Sequence, residues 1–229
     1  MMETFREESL GGGIRLLQNE RFPLGTDSLL LSRFLTLPRA ARVADLGAGN
    51  AALGLLLCAR SNDCTVTGIE LDEQAHRLAL ENIRRNGLEG RVRSLPGDVR
   101  EIRALLPPGH FDCVISNPPY FPAGSGAVRE TAAMARSEQS LPPQPLCAAA
   151  AWLLPSGGRF ALVHRAERLC DLMCALRAAR LEPKRLAFVR HAPDAPVRLV
   201  LLEARKDGRP GLRIEADRYG SNYGQEDGI

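Results

Sequence analysis

Residues 117–120, Asn117-Pro118-Pro119-Tyr120, close an apolar run that begins at Phe111, and their types suit the handling of a planar, conjugated –NH2 group. Such a nitrogen is a poor nucleophile while its lone pair stays in conjugation. Two acceptors on its two N–H bonds draw the pair out. The side-chain oxygen of Asn117 is one such acceptor. The carbonyl of Pro118, on a backbone with a locked φ, is the other. Tyr120 adds an aromatic face on which a base or amide can stack. The same four residues also fit a strand that simply stops at a Pro-Pro turn, so the neighbouring segments must decide.

An electrophile has to be supplied from elsewhere, and the upstream half has the parts for it. Arg42 to Leu46 reads as a buried strand running into Gly47-Ala48-Gly49, with a helix expected over 51–60. Glycines let a backbone approach a ligand closely, and a helix N-terminus offers free N–H groups. The next strand, from Thr65, ends in Glu70, where a carboxylate can accept two ribose hydroxyl protons. A third strand near 92–95 leads to Asp98, which could accept from an adenine amino group. Gly47-x-Gly49-x-x-Ala52 also matches the dinucleotide fingerprint, so the loop alone does not separate a nicotinamide cofactor from S-adenosyl-L-methionine. The series is more specific than its members. Glycine loop, Glu70, Asp98 and Asn117 follow four successive strands, which places all four at the C-terminal edge of one parallel sheet.

In that order these motifs resemble the class I S-adenosylmethionine-dependent methyltransferases that carry Asn-Pro-Pro-Tyr and methylate amino groups. Thr26-Asp27-Ser28-Leu29-Leu30-Leu31, then Asn117 to Phe121, then Ala135-Arg136-Ser137-Glu138 narrow the resemblance to the bacterial tRNA(Val) adenine N6-methyltransferase family, over about residues 14–220. That family methylates the adenosine 3′ of the anticodon. The resemblance implies an α/β, Rossmann-like fold: a seven-stranded, mostly parallel sheet with an antiparallel terminal strand pair and helices on both faces. It implies S-adenosyl-L-methionine held by Asp27, Asp45, Gly47, Gly49, Glu70, Asp98 and Asn117. It implies catalysis by Asn117, Pro118 and Tyr120, and a tRNA base and its flanks met by Pro119, Phe121, Arg129 and Arg136. The chain departs from the family pattern at Asn50-Ala51, where a small polar residue and Gly are usual, and at Ser137, where His is expected.

With 45% apolar and 25% charged residues in 229, the chain is globular and can bury one sizeable core. A single domain over 1–229 is expected, with an N-terminal arm and helix over 1–37, a loop beside the site over 122–139, and a tail over 207–229. Helices are expected over 27–37 (capped by Thr26 or Asp27 and stopped by Pro38), 71–86, 99–106, 141–154 and 166–181. Further strands are expected over 159–163, 186–189 and 197–203, with a short one over 14–19. The first eight residues lack the apolar segment of a signal peptide, and no stretch has membrane-spanning length without charge. Six cysteines without a C-x-x-C pair read as buried free thiols in a reducing cytoplasm, with no metal site.

Net charge is only +3, but between 159 and 190 basic residues outnumber acidic ones by five. That run is either a solvated face or a phosphate-tracking patch. His76 is expected to be solvated or beside the adenine, and His164 and His191 structural. Two rivals remain at this level. A protein glutamine N5-methyltransferase poses the same lone-pair problem, but usually carries a helical domain ahead of the glycine loop, where this sequence has about 40 residues. A nicotinamide oxidoreductase would leave Asn117-Pro118-Pro119-Tyr120 without a role.

Overall fold

The computed structural model describes residues 4–118 and 141–220. The inner strands of its central sheet are buried at consecutive positions rather than alternately, the pattern of strands covered on both faces. In β3 (Arg42–Leu46) and β6 (Cys113–Ser116) nearly every residue is buried, and in β7 (Arg159–Arg165) the four from Phe160 to Val163 are. Successive side chains of β7 enter different cores. Ala161 and Val163 join Leu30, Leu31 and Leu55 on one face, while Phe160 and Leu162 join Leu146 and Leu172 on the other.

With β4 (Thr65–Glu70), β5 (Val92–Pro96), β8 (Leu181–Arg190) and β9 (Leu199–Lys206), the seven long strands lie in the order β5-β4-β3-β6-β7-β9-β8. The five from β5 to β7 are mutually parallel, and β9 runs antiparallel to both β7 and β8. This is the expected mostly parallel sheet with an antiparallel terminal pair. Two two-residue strands, β10 (Arg213–Ile214) and β11 (Arg218–Tyr219), extend it along β8 to nine strands, so the tail carries sheet structure as far as it is described. Ahead of the sheet, β1 (Arg6–Gly11) and β2 (Ile14–Gln18) form a separate hairpin. Only the second of these strands was expected, because β1 is polar along its length.

The helices are α1 (Thr26–Phe34), α2 (Ala52–Arg60), α3 (Glu73–Arg85), α4 (Ile102–Leu105), α5 (Pro143–Leu153) and α6 (Leu169–Ala178). Two corrections concern α1. Its cap is Gly25, without a side-chain bond, not Thr26 or Asp27. It ends at Phe34, well before Pro38, because the Thr36 amide leaves the helix to donate to the buried Glu203 carboxylate at 2.8 Å. The cysteines also need correcting. Cys58, Cys64, Cys113 and Cys147 are buried free thiols, but Cys170 and Cys174 are exposed on α6.

Candidate active site

β5, β4, β3 and β6 are neighbours in the sheet, so the loops after their C-terminal ends stand side by side. The loop after β3 is held tightly. Gly47 and Ala48 donate to the Ile69 carbonyl at 2.9 and 3.1 Å. That contact needs Gly68 beneath it, since a Cβ there would lie 2.6 Å from the Cβ of Ala48. Gly47 and Gly49 take φ of 77° and 56°, and the space a Cβ would fill on each is open, which leaves their backbone accessible to a ligand. Ala51 takes φ 68° as well. The departure from the family pattern thus puts an L side chain in a left-handed conformation that glycine would adopt without cost. Its neighbour Asn50 is buried and donates to the Phe22 carbonyl at 3.0 Å.

Glu70 ends β4 and spans two loops. One carboxylate oxygen accepts from the Gly49 amide and the other from the Asp72 amide, both at 2.7 Å. Burial raises its carboxyl, opposed by those amides. Asp45, at 1% exposure, has neither oxygen in a hydrogen bond. Burial, then the nearby Glu70 charge, push its carboxyl up to about 8. Asp27, in the first turn of α1, is also raised by burial, countered by its own backbone amide and the charge of Arg198. Carboxyls held above their ordinary range by burial are stabilised in the charged form by an incoming positive charge.

That electrostatics separates the two cofactors left open by the glycine loop. A dinucleotide would put its pyrophosphate on the amides after β3, but the Gly49 amide is already engaged by a carboxylate and Asp45 stands behind it. A sulfonium ligand with an α-ammonium group suits the same carboxylates. Each Glu70 oxygen uses one lone pair on a backbone amide and keeps a second that can accept from a hydroxyl. Asp98 lies just past β5 and is fixed by Arg100, whose guanidinium holds its carboxyl below the usual range. Gly97 donates to the Glu70 carbonyl at 2.9 Å, which ties the Asp98 loop to the acid of β4. His76, half-buried, bonds Ser94 through its ring Nδ1 at 2.7 Å and so ties α3 to β5.

Asn117 follows β6 directly, half-buried, with Pro118 buried beside it. Ser116 donates to the Leu46 carbonyl at 2.7 Å and fixes the end of β6 to the end of β3. The Asn117 amide nitrogen donates to the Ser28 hydroxyl of α1 at 2.9 Å. Ser28 received no role from the sequence, although it lies inside the Thr26 to Leu31 segment that carried the resemblance. Pro119, Tyr120, Phe121, Arg129, Arg136, Ser137 and the loop over 122–139 lie outside the described residues.

A model of the methyltransferase small domain matches residues 19–176. The chain belongs to the methyltransferase small domain family. Among its relatives, a tRNA1(Val) (adenine(37)-N6)-methyltransferase of Porphyromonas gingivalis is 32% identical over 188 residues, covering 80% of this chain and 74% of that one. A protein of the same name from Tolumonas auensis is 33% identical over 214 residues, covering 87% and 86%. Among solved structures, a predicted O-methyltransferase from Agrobacterium tumefaciens superposes with a TM-score of 0.69 at 25% identity, covering 84% of this chain and 86% of that one. A geranyl diphosphate C-methyltransferase from Streptomyces coelicolor, at 13% identity and TM-score 0.56 over 78% of each chain, shares the fold.

The family's basic-patch question has a structural answer. The arginines between 159 and 190 are paired, mostly with acids outside that window. Arg159 and Arg185 meet Glu203 at 3.2 and 3.0 Å, Arg180 meets Asp207 at 2.8 Å, and Arg190 meets Asp217 at 2.6 Å. Arg177, Arg165 and Arg168 pair with Glu182, Glu167 and Asp171. The excess of five seen in sequence therefore does not stand as free cations: each of these arginines has a carboxylate beside it, four of them from Glu203, Asp207, Glu215 and Asp217 beyond the end of the run. Among the described residues, no group of three or more His, Cys, Asp or Glu side chains could hold a metal ion. No described helix is long and apolar enough to cross a membrane.

Proposed function

We propose that the protein is an S-adenosylmethionine-dependent methyltransferase of tRNA that acts on the exocyclic N6 amine of an adenosine. The observation that carries this reading is Asn117. An amide acceptor sits at the end of β6, one strand from the glycine loop, in a chain whose relatives are named for tRNA adenine N6-methylation. The cofactor is S-adenosylmethionine, and it supplies a methyl group on a sulfonium, an intrinsically good leaving group. The protein's share is therefore mainly positioning.

The adenosine leaves its stack in the anticodon loop and enters beside Asn117. Asn117 Oδ1 and the Pro118 carbonyl accept from the two N–H bonds, which turns the nitrogen lone pair toward the methyl donor. The nitrogen gains a methyl group and loses a proton to solvent, so no strong general base is required. Tyr120 supports the base by stacking, with Pro119 and Phe121 as the walls of the slot. Asp27, Asp45, Gly47, Gly49, Glu70 and Asp98 hold the cofactor. Arg129 and Arg136 meet tRNA phosphates, and a tRNA substrate places the work in the cytoplasm.

The test is mass spectrometry of tRNA nucleosides from cells with and without the protein, joined to single-turnover transfer in vitro. N6-methyladenosine should vanish from one tRNA position in the deletion strain. Asn117→Ala should leave cofactor affinity within a few-fold and slow transfer by roughly 10²-fold, the usual effect of losing one positioned polar group. Methyl transfer to a glutamine peptide but not to tRNA would overturn the reading.

A further inference from the structure

The Asn117 side chain poses an orientation problem that its own strand does not solve. The torsion that sets the plane of an Asn amide has a broad, roughly two-fold preference. The two ends of the amide are nearly equal in size, but one donates and the other accepts. Only the oxygen can accept from a substrate amine. If the amide turns over, an N–H donor faces the amine and repels it. β6 and the Ser116 bond to Leu46 fix where Asn117 begins, not which end of its amide points outward.

Ser28 supplies a constraint of the kind required. It is 89 residues away in sequence and buried at 8% exposure, and its hydroxyl oxygen lies 2.9 Å from the Asn117 amide nitrogen. A hydroxyl can donate or accept, and here it accepts. The backbone that carries this hydroxyl is held firmly. The Ser28 amide closes the first turn of α1 on the Gly25 carbonyl at 3.1 Å, and the adjoining Leu30 and Leu31 are sunk in the core against the sheet. With the nitrogen held on the α1 side, covalent geometry turns the oxygen away from α1.

We propose that Ser28 is a positioning residue for methyl transfer, holding the Asn117 carboxamide so that its oxygen, not its nitrogen, meets the acceptor amine. This rests on the amine-methylating reading above. In this role Ser28 acts through the Asn117 amide and not on the reacting atoms themselves. Its loss should therefore appear in the chemical step and not in cofactor affinity. A residue that merely packs α1 would instead lower thermal stability and weaken all ligands together.

The experiment has a kinetic and a spectroscopic arm. Ser28→Ala should slow single-turnover transfer to tRNA roughly tenfold, about the effect of one neutral hydrogen bond. Its affinity for S-adenosylmethionine should stay within about twofold. Ser28→Thr, which keeps the hydroxyl, should recover most of the rate. Ser28→Ala in an Asn117→Ala background should cost nothing further, since there is no amide left to orient. In the spectroscopic arm, the side-chain amide signals of Asn117 in an 15N NMR spectrum should move in Ser28→Ala and not in Ser28→Thr. If wild type fails to methylate tRNA, the substrate assignment falls while the NMR arm still decides the Ser28 contact. Wild-type rates with Ser28→Ala, additive losses in the double variant, or unmoved Asn117 signals would each overturn the proposal.

Discussion

The Glu70 carboxylate bridges the loops after β3 and β4, accepting from Gly49 on one side and from Asp72 on the other at 2.7 Å each. It shapes the glycine loop, and the role we propose for its remaining lone pairs is to accept from ribose hydroxyls. Glu70→Ala should remove both. Hydrogen bonds to a charged group contribute about 1.5–3 kcal/mol each, so S-adenosylmethionine affinity should fall by at least tenfold per ribose bond lost. Calorimetry that finds affinity unchanged would show that the ribose lies elsewhere. The isosteric Glu70→Gln should fall between, since an amide keeps only one accepting end.

Asp45 makes cofactor binding and stability depend on pH in a definite direction. Its carboxyl, ordinarily near 3.8, is pushed up to about 8 by burial and then by Glu70. The unfolded chain releases this proton near pH 4, and the folded protein keeps it until about pH 8. Folding thus takes up a proton throughout that window. Stability of the cofactor-free protein should fall as pH rises across it, by up to about 1.4 kcal/mol per unit, and level off above. Glu70 and Asp27, also raised, act with the same sign. Carboxyls lowered by arginine partners, such as Asp98 and Glu215, contribute stability that is lost only as pH falls below their ordinary range, outside this window. Thermal midpoints from pH 5 to 8 should show the fall, and Asp45→Asn should flatten it. A cationic ligand draws the carboxyl back toward ionisation, so the stabilisation by S-adenosylmethionine should grow from pH 6 to 8 in wild type but not in the variant.

Asn82 joins the N-terminal arm to the cofactor loop. Wholly buried in α3, it accepts from the Leu17 amide at 2.7 Å and donates to the Leu17 and Asn50 carbonyls at 2.9 and 3.1 Å. Asn82→Ala leaves a buried amide and two carbonyls without that partner, each at about 1–3 kcal/mol. We expect a loss of several kcal/mol in chemical denaturation and faster hydrogen exchange in β2. Asn86→Ala, the same kind of contact to Arg15 on the exposed side, should cost under about 1 kcal/mol. Equal losses from the two variants would contradict this ordering.

The order of parts along the sheet was readable before any coordinates because each carries its own local signal. Glycines follow β3, an acid ends β4, and Asn117-Pro118 ends β6. What escaped were relationships between distant segments. Ser28 reads as an ordinary helix residue until α1 is laid over the end of β6. Asn82 reads as one polar residue on an amphipathic helix, with nothing local to mark its bonds to β2. β1 lacks apolar alternation, since its partner β2 does the burying. Boundaries of α1 failed for the same reason: Glu203, far along the chain, takes the Thr36 amide that local propensity would have kept helical. The charge run between 159 and 190 could not be read as free or paired from sequence, because several of its partner carboxylates come from 203–217, which no local count links to it.

Those ion pairs change which arginines should read tRNA. Arg180 stands at the start of β8, the sheet edge opposite Asn117, and is committed to Asp207. Arg177 is paired with Glu182 on the same side. Exposed pairs contribute little to stability, but a phosphate must displace the carboxylate before it can use the guanidinium. Arg129 and Arg136, between Tyr120 and α5 in sequence, remain the candidates. Each phosphate contact releases counterions and contributes about 0.7–0.9 to the slope of log affinity against log salt. In a salt titration of tRNA binding, Arg129→Ala with Arg136→Ala should weaken binding and lower that slope by nearly two. Affinity for S-adenosylmethionine should not change. Arg177→Ala with Arg180→Ala removes the same formal charge from the opposite edge and should leave the slope within about 0.3 of wild type. If this second pair flattens the dependence as much as the first, tRNA contacts the β8 edge and the loop assignment is wrong.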